Sequence, residues 1–178
     1  ETVLPCIRAC LDEGLKELFF TMWEDDGGAV DFDSALAGVL YAAEAAYGGG
    51  EVDDERWRLR FGGVCKADLE QNMALTRLDV STHYGREINT RMLLWDDPLY
   101  GMYRRSLLAR EDTAEFDPAA YYAELADQLE WWAEDDAGQA GDLAFGAQLA
   151  HTLSAKGALY DELRAAYEAE DRVALEAL

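Results

Sequence analysis

The stretch "EFDPAAYYAELADQLEWWAEDD", Glu115 to Asp136, decides the fold class. Asp117 is placed to cap a helix with its carboxylate, and Pro118 suits the first helical position, where the missing N–H would have no partner anyway. Tyr122, Leu125, Leu129 and Trp132 then recur at helical spacing along one face. The aromatic pairs Tyr121-Tyr122 and Trp131-Trp132 are consecutive, so their members point about 100° apart on a helix. One member of each pair is expected to pack and the other to cover surface.

The same pattern holds on both sides of this helix. Gly138 and Gly141 interrupt it, and Leu149, Leu153, Tyr160, Leu163 and Tyr167 carry helical spacing to the end of the chain. Upstream, Asp53 or Asp54 caps a short helix with Trp57 and Phe61, Gly62-Gly63 breaks it, and Leu69, Met73 and Leu78 mark another. Asp97-Pro98 demands a turn or irregular link, because proline disfavours helix at the residue before it. Asp96 and Asp97 read as turn residues and helix caps rather than catalysts.

The first 50 or so residues read differently. Thr2 opens a helix with Leu4, Ile7 and Leu11 on one side, Cys6 and Cys10 are expected to pack with that face, and Gly14 stands where a left-handed residue ends it. Leu18 to Met22 reads as a strand buried on both faces. After an Asp/Gly loop, Asp33 or Ser34 begins a helix with Leu36, Val39, Leu40, Ala43 and Tyr47 on one side, closed by Gly48-Gly49-Gly50. A lone parallel strand lacks ladder partners for its N–H and C=O groups. Residues 1–50 are therefore expected to be the end of a larger α/β domain, and residues 51–178 an all-helical domain.

Charge narrows the function. The chain has 178 residues, with 37 acidic against 15 basic side chains and a formal charge of -22. Such a surface repels phosphate backbones, which argues against nucleic-acid binding. No run approaches the ~20 apolar residues of a membrane span. Three cysteines are too few and too odd in number for a disulfide framework, and the cytoplasm is the expected compartment, although a targeting segment ahead of Glu1 would be invisible. Cys6 and Cys10 lie four apart without a nearby histidine, so no metal site is expected. His83 and His151 are far apart and lack a Ser or Cys partner; structural roles are expected for both.

Three motifs together carry a family likeness. "TMWEDDG" (Thr21 to Gly27), "LLWDDPLYGMY" (Leu93 to Tyr103) and "LAHTLSAKGALYDELRAAYEAEDRVAL" (Leu149 to Leu175) resemble the C-terminal portion of bacterial β-N-acetylhexosaminidases of glycoside hydrolase family 20. The resemblance implies a mainly α chain: a helix-strand-helix remnant of a (β/α)8 barrel followed by a helical C-terminal domain. It implies that Trp23 walls the pocket for a terminal N-acetyl sugar and that Asp25 hydrogen-bonds its hydroxyls. Asp stands where that family usually has Glu, so the shorter reach leaves Asp25 and Asp26 both open for this contact. A second reading of the same residues has Trp23 in the core at a strand end and Glu24-Asp25-Asp26 capping the next helix.

In that family the substrate's own acetamido group is the nucleophile, an Asp orients it and the adjacent Glu protonates the leaving oxygen, a departure from the two-carboxylate scheme. Asp12-Glu13, Asp54-Glu55 and Asp161-Glu162 sit in helical or capping contexts, and none matches the family's catalytic pair. No catalytic residue is therefore expected in this chain. The implied partner is an N-acetylhexosamine glycan, without metal or organic cofactor, and the helical domain is expected to brace the barrel and contribute to a homodimer interface. The rival readings are a stand-alone acidic helical interaction module and a small carbohydrate-binding module.

Overall fold

The structure is a computed structural model and describes residues 3–21, 32–79, 90–109, 115–135 and 138–178. Among the described residues the regular structure is helical: α1 (Val3–Asp12), α2 (Leu36–Tyr47), α3 (Asp54–Cys65), α4 (Leu69–Leu75), α5 (Met102–Leu108), α6 (Pro118–Asp135), α7 (Ala140–Glu168) and α8 (Arg172–Ala177). Tight 3-10 turns at Phe32–Ala35, Thr76–Leu78 and Thr90–Trp95 link or extend them. The mainly α class expected from the sequence is what the chain adopts.

Aspartates start several of these helices as their spacing predicts. Asp53, Asp68, Asp117 and Asp171 each accept hydrogen bonds from backbone N–H groups of the first turn that follows. Gly14 ends α1 with φ +72°, and Gly49 and Gly50 after α2 also take the left-handed region.

Helices α6 and α7 form an antiparallel hairpin that holds the main core. Ala119 of α6 faces Gly157 of α7, and Leu129 faces Gly146, so the register is fixed at two levels. At Gly157 an added Cβ would lie 3.0 Å from the Ala119 backbone nitrogen and 3.1 Å from the Pro118 ring. Tyr122, Leu125 and Leu129 of α6 meet Leu143, Ala147, Ala150 and Leu153 of α7, all fully or almost fully buried. Tyr122 also donates its hydroxyl to the Leu78 carbonyl at 2.7 Å, and Tyr121 to the Arg77 carbonyl at 2.9 Å. Both ring oxygens thus tie the 3-10 turn after α4 to the hairpin. As expected, Tyr122 packs while Tyr121 is only half-buried, and Trp132 packs against the core while Trp131 is exposed.

Helix α7 has 29 residues against 18 in α6. With Gly157 opposite Ala119, the last three turns of α7 run past the start of α6. The 90–104 segment and α8 cover this overhang.

Smaller clusters hold α1 to α4. Ile7 of α1 packs against Ala42 and Ala45 of α2, and Phe61 of α3 against Ala37 of α2 and Leu69 of α4. Glu44 of α2 is buried and paired with both Arg56 and Arg60 of α3. A buried carboxylate is tolerated only when such partners compensate its lost hydration.

Several sequence expectations fail for physical reasons. The strand at Leu18 to Met22 is not formed over its described part: Leu15–Thr21 carries no regular structure. A strand exists only through its ladder partners, and the described chain supplies none. Gly62-Gly63 does not break α3, which continues to Cys65 and ends at Lys66 in the left-handed region, φ +56°. Gly141 lies in the first turn of α7 rather than interrupting a helix. Cys6 is exposed instead of joining the apolar face, because Val3, Leu4, Ile7 and Leu11 already fill the contact with α2. Val39, Tyr47, Met73 and Tyr167 are likewise exposed, with alanines taking the buried stripe of α2. The final helical run divides at Glu170, φ +53°, so that α8 turns back against α7.

The two glycine environments of α7 predict opposite effects of added side chains. Gly157→Val should destabilise the chain by about 1–3 kcal/mol through overpacking against rigid Pro118 and the Ala119 backbone. Gly141→Ala meets nothing within 4 Å and should stabilise by up to about 1 kcal/mol through helix propensity. Urea unfolding of both variants checks the sign of each change.

Candidate functional site

The sugar-contact candidates Trp23, Asp25 and Asp26 lie outside the described residues, as does His83. The three Asp-Glu pairs are accounted for structurally. Asp54-Glu55 forms the first turn of α3, α1 ends at Asp12 beside Glu13, and Asp161 pairs with Arg104. His151 Nε2 lies 2.9 Å from Glu130 Oε1 on the neighbouring helix, a surface link within the hairpin.

The motif "LLWDDPLYGMY" builds the most elaborate polar arrangement in the described chain. Leu93 is buried in the main core and anchors the segment. Lys156 of α7 donates from its ammonium to the carbonyl oxygens of Leu94, at 2.8 Å, and Asp96, at 2.7 Å. The Asp96 carboxylate accepts from the backbone N–H groups of Tyr103 and Arg104, so it satisfies the start of α5 from outside the helix. Asp97 accepts from the N–H groups of Leu99 and Tyr100, and its carbonyl accepts from Gly101 N–H at 2.7 Å. Both aspartates are thus turn and cap residues, as their sequence context implied.

Gly101 is required at the end of this turn for two reasons. Its φ is +52°, and any Cβ there would collide with the ring of Tyr160. Arg104 then closes the frame: its Nε and Nη2 donate to Asp161 Oδ2 at 3.0 and 2.7 Å, and Nη1 donates to the Phe116 carbonyl. The guanidinium is nine-tenths buried, so the pair is shielded on the arginine side while Asp161 stays half-exposed.

Above this frame the side chains are apolar and open. Trp95, Leu99, Tyr100 and Met102 are all exposed, held outward by the hydrogen-bonded turn beneath them. Beside them a hollow of about 310 Å³ runs between Pro98 and Leu99, the Tyr160–Tyr167 part of α7, and Leu175 of α8. A second hollow of about 420 Å³ lies past Tyr167 toward Glu168, Glu170 and Arg172. Arg164 pairs with Glu168 and Arg172 with Glu176, each at 2.8 Å. A further hollow of about 530 Å³ lies between α1, α2 and α3, with Tyr41 and Trp57 packed edge to face at 5.0 Å.

Among the described residues, the polar groups of this frame are taken up in its own hydrogen bonds. The carboxylates of the frame are engaged as acceptors, and its cations are engaged as donors. The Tyr121 phenol is pushed up by burial, with Arg77 opposing, so it remains a hydrogen-bond donor at neutral pH. Burial also pushes up the Cys65 thiol, and Asp33 adds to the effect, which disfavours a thiolate nucleophile. Among the described residues no group of three His, Cys, Asp or Glu is placed to hold a metal ion, and no helix is long and apolar enough to cross a membrane.

Sequence reading missed Arg104, Lys156 and Tyr160 as the parts that hold the motif in place. One signal was available: Lys156 stands between the apolar positions Leu153 and Tyr160 of α7, where a cation needs a partner.

Residues 71–178 match the family model described as the Glycoside Hydrolase 20C C-terminal domain. No curated protein and no solved structure matches the chain.

The frame predicts that Lys156→Met leaves the Leu94 and Asp96 carbonyls without their donor. The expected cost is about 1–3 kcal/mol, each lost bond being to a charged group. Hydrogen exchange should accelerate in residues 90–104 while the α6–α7 hairpin keeps its protection, and mass spectrometry of the two regions checks this.

Proposed function

The chain belongs to the Glycoside Hydrolase 20C C-terminal domain family, and from that premise we propose that it serves as the C-terminal part of an exo-acting β-N-acetylhexosaminidase. In this reading the helical unit braces a catalytic barrel whose Asp-Glu pair lies outside this chain. The observation that carries it is the match over residues 71–178, which includes the 93–103 motif and the α7 residues that hold it. Support also comes from the frame's chemistry: a hydrogen-bonded turn presents apolar side chains outward, as a bracing or docking surface requires.

The substrate would be a glycan ending in β-linked N-acetylglucosamine or N-acetylgalactosamine. The acetamido oxygen of that sugar would attack its own anomeric carbon as the leaving oxygen takes a proton from the Glu of the catalytic pair. Trp23 would then form an aromatic wall of the sugar pocket, and Asp25 or Asp26 would accept hydrogen bonds from its hydroxyls. The cytoplasmic location and a homodimer remain part of this proposal.

Two measurements test the reading. The 178-residue chain should fold with a helical circular dichroism spectrum and show no turnover of a chromogenic N-acetyl-β-glucosaminide. A natural polypeptide that carries this chain behind a barrel should turn it over, and Trp23→Ala there should lower kcat/KM by roughly 100-fold through lost alignment at the reacting centre. Turnover by the chain alone, or unchanged kinetics together with a large stability loss in Trp23→Ala, would remove this assignment.

A further inference from the structure

We propose that Cys6 and Cys10 of α1 form a binding site for a soft, two-coordinate metal ion of the copper(I) kind. Both are free cysteines four positions apart in one helix, Cys6 exposed and Cys10 partly exposed. A helix sets residues at this spacing on one face, with Cβ atoms about 5–6 Å apart. Val3, Leu4, Ile7 and Leu11 fill the contact with α2, so the two thiols stand beside that contact rather than within it.

The spacing selects how the sulfurs can be bridged. A disulfide needs Cβ atoms about 3.5–4.5 Å apart, so direct oxidation of the pair would distort the helix. One metal atom between the sulfurs, with metal–sulfur bonds of about 2.3 Å, spans up to about 4.6 Å and fits the helical spacing. The donor set selects the metal. Soft thiolates favour copper(I). Among the described residues no third His, Cys, Asp or Glu joins the pair, so they do not supply the four-ligand geometry of a structural zinc site.

Binding forms two metal–sulfur bonds and releases both thiol protons to solvent, with no change of oxidation state at sulfur or metal. The Cys10 thiol is pushed up by burial, and Cys6 beside it adds to the effect. It therefore stays protonated, and slow to oxidise, until a metal displaces the proton. The formal charge of -22 draws cations toward the chain. Cys65, at the end of α3, packs against the Phe61 cluster instead and serves as an internal control. Neither Cys6 nor Cys10 takes part in the proposed hydrolase chemistry.

The test is anaerobic titration of the whole reduced chain with copper(I), using bathocuproine disulfonate as a coloured competitor. A single ion per chain is expected. Cys6→Ser and Cys10→Ser should each weaken binding by about a hundredfold or more, because losing a ligand costs at least what losing a partner that merely orients one costs. Cys65→Ser should leave binding unchanged, and circular dichroism checks that each variant stays helical. Undiminished binding by either α1 variant, loss in Cys65→Ser, one ion shared between two chains, or zinc(II) bound as tightly as copper(I) would overturn the site. So would a Cys6–Cys10 disulfide that forms in air with the helix intact.

Discussion

The ammonium of Lys156 lies on the carbonyl oxygens of Leu94 and Asp96, and this contact lets an irregular segment sit on the side of a helix. A backbone that has left regular helix exposes carbonyls that need donors wherever water is kept away. Helix α7 has no backbone donor to offer along its flank, since its own N–H groups are used within the helix. A long, flexible cation is the side chain that reaches across this gap. Arg104 completes the arrangement from the other side, with Asp161 and the Phe116 carbonyl as its acceptors. Charge thus does for the 90–104 segment what close packing of Gly157 on Pro118 does for α6.

The helical half was legible because its signals are local. Asp117 followed by Pro118, and Tyr122, Leu125 and Leu129 at helical spacing, specify α6 without reference to any other residue. The errors arose where one local signal stood for a tertiary fact. Gly62-Gly63 looked like a break, yet glycine inside a helix costs only about 1 kcal/mol relative to alanine, and the burial of Phe61 outweighs it. The apolar run from Leu18 satisfied the strand pattern, but a strand is a property of a pair of segments. Composition cannot reveal whether the second segment is present.

The candidate site was legible only in part, for a related reason. The motif around Asp96 and Asp97 was visible, and its role as turn and cap followed from the aspartates and the proline. What holds it came from residues more than 50 positions away: Lys156 and Asp161. Sequence spacing along one segment has no means of naming such partners. The family resemblance supplied the association with a glycoside hydrolase that the family match bears out, which no periodicity or charge pattern would have reached. Tyr167 illustrates the converse: helical spacing put it in line with Leu153 and Tyr160, which are buried, and it stands exposed.

The uneven range of these contacts orders the folding of the chain. The α6–α7 hairpin closes through a short connection between adjacent elements, which is the kind of contact that forms early because little loop entropy is lost. The bonds from Lys156 to Leu94 and Asp96, and from Arg104 to Asp161, span 57 to 62 positions and reward the chain only once that hairpin exists. The outward-facing turn is therefore a late arrival on a preformed helical pair. During synthesis α7 emerges after the segment it must hold, so the Leu94 and Asp96 carbonyls wait for their donor until Lys156 leaves the ribosome.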